Sequence, residues 1–296
     1  MRRTALLGLV IAAAVAVTVA TVQEPPTLTP DQQARLHITQ VKDGLYVIPG
    51  FDGSLSGGNV AVRVTDDGVV LVDDKFPYSF DEITRHVGRV TSQPIRYVLN
   101  THHHGDHAGS NADFMPTAQL IGHRNARANM LRNGQAGAPP VVFSDQAAVF
   151  LGDVEVQAHH MGRGHTNGDA VIYFPDLRTI HTGDLVLWGD RLDGSTLSPF
   201  IDYANGGSGT EWVATLDRVL ELDFDTVIPG HGPILSRSDV EQFRGKFETL
   251  IERMTALVDE GVSQTEIADR LELDDLNWPL APGRIRELFE DVKDSR

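Results

Sequence analysis

The chain has 296 residues, 41 acidic against 25 basic side chains for a formal net charge of −16, and no cysteine. That length holds one large domain or two modest ones with a buried core, and 41% hydrophobic with 22% charged residues is a globular rather than a disordered composition. The acidic balance argues against nucleic acid and anionic lipid surfaces as partners; the missing thiol excludes disulfides, thiolate metal ligands and cysteine nucleophiles, so any metal must be held by nitrogen and oxygen.

Arg2 and Arg3 precede an uncharged run from Ala5 to Val22, with Val19-Ala20 before Thr21 as a small-residue cleavage point. Residues 1–22 therefore read as a signal peptide or, uncleaved, an anchor. The expectation is an exported protein, periplasmic or secreted, that meets a membrane only if this segment is retained. Residues 23–40, with Pro25, Pro26 and Pro30, read as a linker. Strands are expected at Leu45–Ile48, Asn59–Thr65 and Val69–Val72, the last two joined as a hairpin through Asp66-Asp67-Gly68. Tyr78–Val90 has helical periodicity, Ile95–Leu99 reads as a strand, Gln119–Ile121 as a strand, Arg124–Arg132 as a helix and Gly134–Pro140 as a loop. Further strands are expected at Val154–Ala158, Val171–Phe174, Thr179–His181 and Thr226–Ile228, and a helix at Trp212–Leu222. A main domain over 41–235 is followed by a helical extension over 236–296, with helices at Asp239–Glu260, Gln264–Leu271 and Arg284–Val292.

The chemistry concentrates in Asn100-Thr101-His102-His103-His104-Gly105-Asp106-His107, directly after the apolar strand Ile95–Leu99. His102 and His104, two apart, can project onto one ion, and Asp106 and His107 can turn to a second beside it. Imidazole and carboxylate at this density are costly to leave unpaired, and a metal pair resolves that cost. His103 is expected to point away. Three more ligand-type residues stand beside strands in glycine-rich turns: His165 in Gly164-His165-Thr166-Asn167-Gly168-Asp169, Asp184 in His181-Thr182-Gly183-Asp184, and His231 in Pro229-Gly230-His231-Gly232-Pro233. His123, His159, His160 and His181 read as structural. Trp188, Phe200 and Tyr203 read equally well as pocket lining or as loop packing.

The H-x-H-x-D-H run at His102, His104, Asp106 and His107, followed by three separated ligands, resembles the metallo-β-lactamase-fold hydrolase superfamily over roughly Val41 to Leu235. The resemblance implies an α+β fold, a four-layer αβ/βα sandwich with a short helical C-terminal extension. It implies one metal at His102, His104 and His165, another at Asp106, His107 and His231, Asp184 bridging them, and Asp73 supporting the metal loop from behind. Enzymes of the family that open β-lactams typically carry cysteine or serine at the Asp184 position, so a bridging aspartate is similar to the glyoxalase II and lactonase branches. A glutamate in place of His104 would suggest flavin-linked di-iron oxidoreductases; the histidine argues against them. The tail from Asp239 is acidic and shows no basic cluster of the kind with which the glyoxalase II tail grips glutathione. The implied activity is hydrolysis of a small-molecule ester, thioester or lactone, in which a hydroxide bridging two divalent ions attacks the carbonyl while Asp106 orients it and relays a proton. Zinc is the expected metal, with iron or manganese as alternatives. Periplasmic β-lactam hydrolysis is the alternative activity, and a metal-dependent oxygenase a weaker one, since that would not need the full second ligand set.

Overall fold

The computed structural model describes residues 24–296; the proposed signal segment and its cleavage point lie outside the described residues. Seven strands form one sheet in chain order: β1 (Thr39–Lys42), β2 (Leu45–Ile48), β3 (Val60–Thr65), β4 (Gly68–Val72), β5 (Ile95–Leu99), β6 (Gln119–His123) and β7 (Val141–Phe143). Six form the second: β8 (Gln146–Leu151), β9 (Val154–His159), β10 (Val171–Phe174), β11 (Thr179–Leu187), β12 (Thr226–His231) and β13 (Leu235–Ser236), in the order β13-β12-β11-β10-β9-β8. The helices are α1 (Pro30–Ala34), α2 (Phe80–Val87), α3 (Asn111–Phe114), α4 (Arg124–Arg132), α5 (Gly209–Val219), α6 (Arg237–Asp259), α7 (Ile267–Arg270) and α8 (Pro282–Asp294). No helix among the described residues is long and apolar enough to cross a membrane.

The alternation of side chains along the strands builds the layers. In β4, Val70 and Val72 join an apolar cluster between the sheets with Val47, Leu99, Ile172 and Phe174, whereas Val69 and Leu71 join a cluster on the outer face with Ile83 and Val87 of α2 and Phe114 of α3. On the far side, Val171, Ile180 and Val186 pack against Trp212 and Leu216 of α5, Phe243 and Phe247 of α6, and Leu288 of α8. Three apolar interfaces between helices, sheet, sheet and helices make the α+β four-layer sandwich that the resemblance implied. The C-terminal extension shares its core with the second sheet rather than having one of its own.

Several elements differ from the sequence expectations. The lead-in over 23–40 contains α1, started by a Thr29–Gln32 capping box with Pro30 in its first turn, and the beginning of β1. Helix α2 is shorter than Tyr78–Val90 because Ser79 stands at its N-cap and Gly88 at its C-cap. Helix α7 is shorter than Gln264–Leu271, as Leu271 already has extended backbone. Helix α5 begins at Gly209, earlier than Trp212, because the Ser208 side chain accepts from the Glu211 amide. Strands β7 and β8 were missed; both are sheet edges with much of their surface exposed, so neither shows a buried, alternating pattern.

Candidate metal centre

The site lies where the parallel strands β4 and β5 of one sheet and β11 and β12 of the other end. Asp73 follows β4 directly, fully buried, with its backbone at φ +64°. Its carboxylate accepts from the Thr101 amide (2.7 Å), the Thr101 hydroxyl (2.7 Å) and His107 Nδ1–H (2.8 Å). Thr101 Oγ1 in turn accepts from His102 Nδ1–H at 3.1 Å. One carboxylate thus fixes the ring orientation of two histidines and leaves Nε2 of each free to face the cavity.

His102 Nε2 lies 3.1 Å from His104 Nδ1, which lies 2.8 Å from His165 Nε2. The remaining ring nitrogens are tied back: His104 Nε2–H donates to Asp202 Oδ2 at 2.8 Å, and His165 Nδ1–H to the Phe200 carbonyl at 2.6 Å. Opposite them, His107 Nε2 is 3.2 Å from His231 Nε2, and His231 Nε2 is 3.3 Å from Asp106 Oδ2. Asp184 spans the two groups, with Oδ1 3.1 Å from His107 Nε2 and Oδ2 3.6 Å from His165 Nε2. All seven residues named from the sequence therefore converge. Asp184 is not at a strand end, as expected, but inside β11, where the register breaks at Gly183 (φ +51°) and turns the carboxylate into the site. His231 is the last residue of β12 rather than part of a following turn.

Close backbone approach is part of the construction. A Cβ on Gly58 would stand 2.2 Å from the His107 ring, and one on Gly230 would stand 2.0 Å from Asp184 Oδ1. His103 does not reach into either group, but neither is it solvated. It is buried, its Nε2 is 3.8 Å from Asp202, and neither ring nitrogen has a hydrogen-bond partner.

The titration pattern divides the cluster. Burial, reinforced by neighbouring imidazoles, pushes His102 well down and His165 down to about 4, so both are neutral with bare nitrogens. Burial would do the same to His107 and His231, but Asp184 and Asp106 outweigh it and raise His107 well up and His231 to about 9. Burial would raise both carboxylates, yet the facing histidines hold Asp106 and Asp184 below the usual range. Asp184 Oδ1 is nevertheless buried without a hydrogen-bond partner. Ligand-type atoms within 4.8 Å of one another in overlapping groups, among them His102, His104 and His165 and, opposite, Asp106, His107 and His231, with an orphaned carboxylate oxygen between them and protons held only by local negative charge, fit divalent cations, which would replace those protons.

The cluster opens into a cleft of about 320 Å³ that Asp106, Asp184 and His231 line on one side. Phe200 is on its wall, stacked on His104 with centroids 6.1 Å apart. Trp188 instead packs beside Lys246, and the Tyr203 hydroxyl donates to Asp291, so of the three aromatics only Phe200 lines the metal cleft. His123, His160 and His181 bond to the carbonyls of Ser144, Asp169 and Asn59, and His159 bonds to Gln157; none of them joins the cluster.

The family model described as the metallo-beta-lactamase superfamily matches residues 54–231, a span that begins before Gly58 and ends on His231. The chain belongs to the metallo-beta-lactamase superfamily. It is 29% identical over 222 residues to the 2,4-dinitroanisole O-demethylase subunit alpha of Nocardioides sp. (strain JS1661), covering 73% of this chain and 61% of that one. It is 30% identical over 190 residues to the probable hydroxyacylglutathione hydrolase glo2 of Schizosaccharomyces pombe (strain 972 / ATCC 24843), covering 60% and 64%. The chain thus spans less than two thirds of either relative. Among solved structures, a metallo-beta-lactamase from Pontibacter korlensis superposes with a TM-score of 0.61 at 18% identity, covering 72% of this chain and 99% of that one, a likeness of fold. This superfamily uses divalent metals, and the His/Asp cluster is where this member could bind them.

Sequence reading of this superfamily member missed Asp202, Arg191 and Arg284. Asp202 holds His104, and the two arginines line the cleft. Asp202 lies 98 residues from His104 and carried no motif. Arg284 belongs to the tail in which no basic cluster was visible.

Proposed function

We propose that this protein is an exported two-metal hydrolase acting on an ester, thioester or lactone of a small molecule, with zinc in both positions and iron or manganese as alternatives. The observation that carries the reading is Asp184, whose two oxygens face the two histidine groups separately. Ions bound there would supply an activated water near neutral pH and polarise the carbonyl. The chain does the rest. His102, His104 and His165 on one side and Asp106, His107 and His231 on the other present their donors to a common point. Asp106 lines the cleft with its carboxylate held ionised, placed to orient the attacking water and to take its proton. Leu187, Leu197 and Phe200 give the substrate a partly apolar wall.

Ester and lactone cleavage expels an alkoxide and thioester cleavage a thiolate, leaving groups less demanding of metal stabilisation than the nitrogen of an opened β-lactam. Were Asp184 to hold both ions, the second would be less free for that task. The test is a panel of chromogenic esters, thioesters and lactones with nitrocefin and 2,4-dinitroanisole, compared as kcat/KM on protein of known metal content. An ester-type substrate should lead. A β-lactam or the ether turned over more than a hundredfold better than every ester, thioester and lactone would replace this reading. Export rests on Arg2, Arg3 and the uncharged run from Ala5 to Val22; N-terminal sequencing of native protein should find a start near Thr21.

A further inference from the structure

Helix α2 has two unlike faces. Ile83 and Val87 bury one in the apolar cluster on the outside of the first sheet. Glu82, Arg85, His86 and Arg89, spaced at helical intervals along the helix and the turn that follows it, line a hollow of about 350 Å³ on the other. The opposite wall is the lead-in to the fold. Leu28 and Leu36 are its apolar part, and the His37 ring stands edge-on to His86 with centroids 6.4 Å apart. None of these residues lines the metal cleft.

The charges in the hollow do not cancel. Glu82 is already engaged: it lies 3.7 Å from His86 Nε2, and that histidine, helped by the buried Lys75, holds its carboxylate below the usual range. Arg85 and Arg89 have no ion pair among the described residues, although the chain has 41 acidic side chains against 25 basic ones. They stand at a spacing where like charges on a helix repel. Cations near a helix C-terminus suit its dipole, but the dipole explains neither the hollow nor His86. The His86 side chain is 5% exposed, and its Nδ1 is buried with no hydrogen-bond partner.

We propose that this hollow is a second binding site, separate from the metal centre, which takes a phosphate monoester with an apolar substituent. The guanidinium forks of Arg85 and Arg89 match phosphate oxygens. The same group suits His86 in either tautomer, since its oxygens accept from Nδ1–H and its hydroxyl, in the monoanion, donates to a bare Nδ1. A carboxylate or sulfate ion only accepts. Leu28 and Leu36 give the substituent its apolar wall. The net charge of −16 is a sum over the whole chain, and in this hollow two unpaired arginines outweigh one engaged carboxylate. The monoester has two sources, a soluble metabolite or a lipid headgroup. The second is within reach because the hollow begins at Pro26, shortly after the uncharged run from Ala5 to Val22, which would hold the chain at a bilayer if retained.

Phosphate esters also bind metal ions, so the readout has to be local. Full-length, metal-loaded protein is compared by hydrogen-exchange mass spectrometry with the double variants Arg85→Gln/Arg89→Gln and Arg85→Lys/Arg89→Lys. Both arginines are exposed, so the variants should keep the wild-type Tm and metal content. One probe is mono-n-butyl phosphate, and the other is dihexanoylphosphatidic acid below its micelle concentration. In the wild type at least one probe should slow exchange over residues 28–37 and 82–89. The dissociation constant read from its concentration dependence should be at least tenfold weaker in the Gln double variant. It should be intermediate in the Lys double variant, which keeps the charge but not the fork. Protection by butyl phosphate makes the ligand a soluble ester, and protection by the phosphatidic acid alone makes it a headgroup; either supports the site. No protection by either probe, or protection equal in the wild type and the Gln double variant, overturns it.

Discussion

At the residue scale, Asp73 is the side chain on which the centre depends without touching its cavity. It accepts three hydrogen bonds, and through His107 and Thr101 it reaches both ligand groups. Asp73→Ala should weaken metal binding by roughly 10- to 100-fold, as loss of such supporting partners generally does, measured by competition with a chromogenic chelator. Binding equal to wild type would show that Asp73 merely fills space. Asp169 makes a pH prediction. It accepts from the Thr166 amide at 2.9 Å and the Thr166 hydroxyl at 2.5 Å, beside His165, and burial pushes its pKa up to about 7. Between the unfolded value near 3.8 and that folded value, the native chain keeps a proton that the unfolded chain has released. Stability therefore falls as pH rises through this window, by up to about 1.4 kcal/mol per pH unit from this group alone. Urea unfolding of chelator-treated protein at pH 4.5 and 6.5 should show that wild type loses more stability between the two than Asp169→Asn does. Equal losses would mean that the carboxyl is ionised throughout.

At the scale of elements, the ligands are positioned by how strands end and where they are interrupted. The segment entering β3 passes so close to the metal loop that the Gly58 amide donates to the Asp106 carbonyl at 3.0 Å. Gly58 is not in a left-handed conformation, so what forbids a side chain there is space alone, with His107 fully buried behind it. Gly58→Ala should cost about 1–3 kcal/mol of stability by overpacking and should lower the metal content at the His107 side. Elemental analysis should find nearer one than two equivalents per chain, and two equivalents would mean that the loop gives way freely. Helix α8 works at the same scale. Ile285, Leu288, Phe289 and Val292 bury its inner face against the second sheet's helices, and that packing carries Arg284 to the cleft.

For the whole molecule, the centre is a clasp between layers. The ligands from His102 to His107 belong to the loop leaving the first sheet, whereas His165, Asp184 and His231 belong to the second. Cations bound between them would bind only the folded arrangement and so would stabilise it by mass action, about 2.7 kcal/mol for a free concentration a hundredfold above Kd. Chelation should therefore lower Tm by roughly 5–10 °C in a chain of this size, and two equivalents of zinc should restore it. A Tm indifferent to chelator on protein shown to have lost its metal would sever the ligand cluster from the stability of the fold.

How far the sequence was legible follows from distance along the chain. Four ligand positions fall within six residues after an apolar strand, and three more stand next to a glycine in the sequence, so local pattern was enough to name all seven. The buried strands showed themselves because both faces of β4 and β10 meet apolar layers. Edge strands β7 and β8 did not, since an exposed strand has no core to impose alternation on it. Tertiary structure alone decided that Asp184 turns inward from the middle of β11, that Asp202 holds His104, and that His103 is buried rather than turned to solvent. It alone decided, too, that Arg85 and Arg89 line one hollow without an ion pair among the described residues. A ligand is recognisable by its own chemistry and neighbours, but whether a charge is free depends on every carboxylate that folding does or does not bring to it, and the linear order of residues does not contain that.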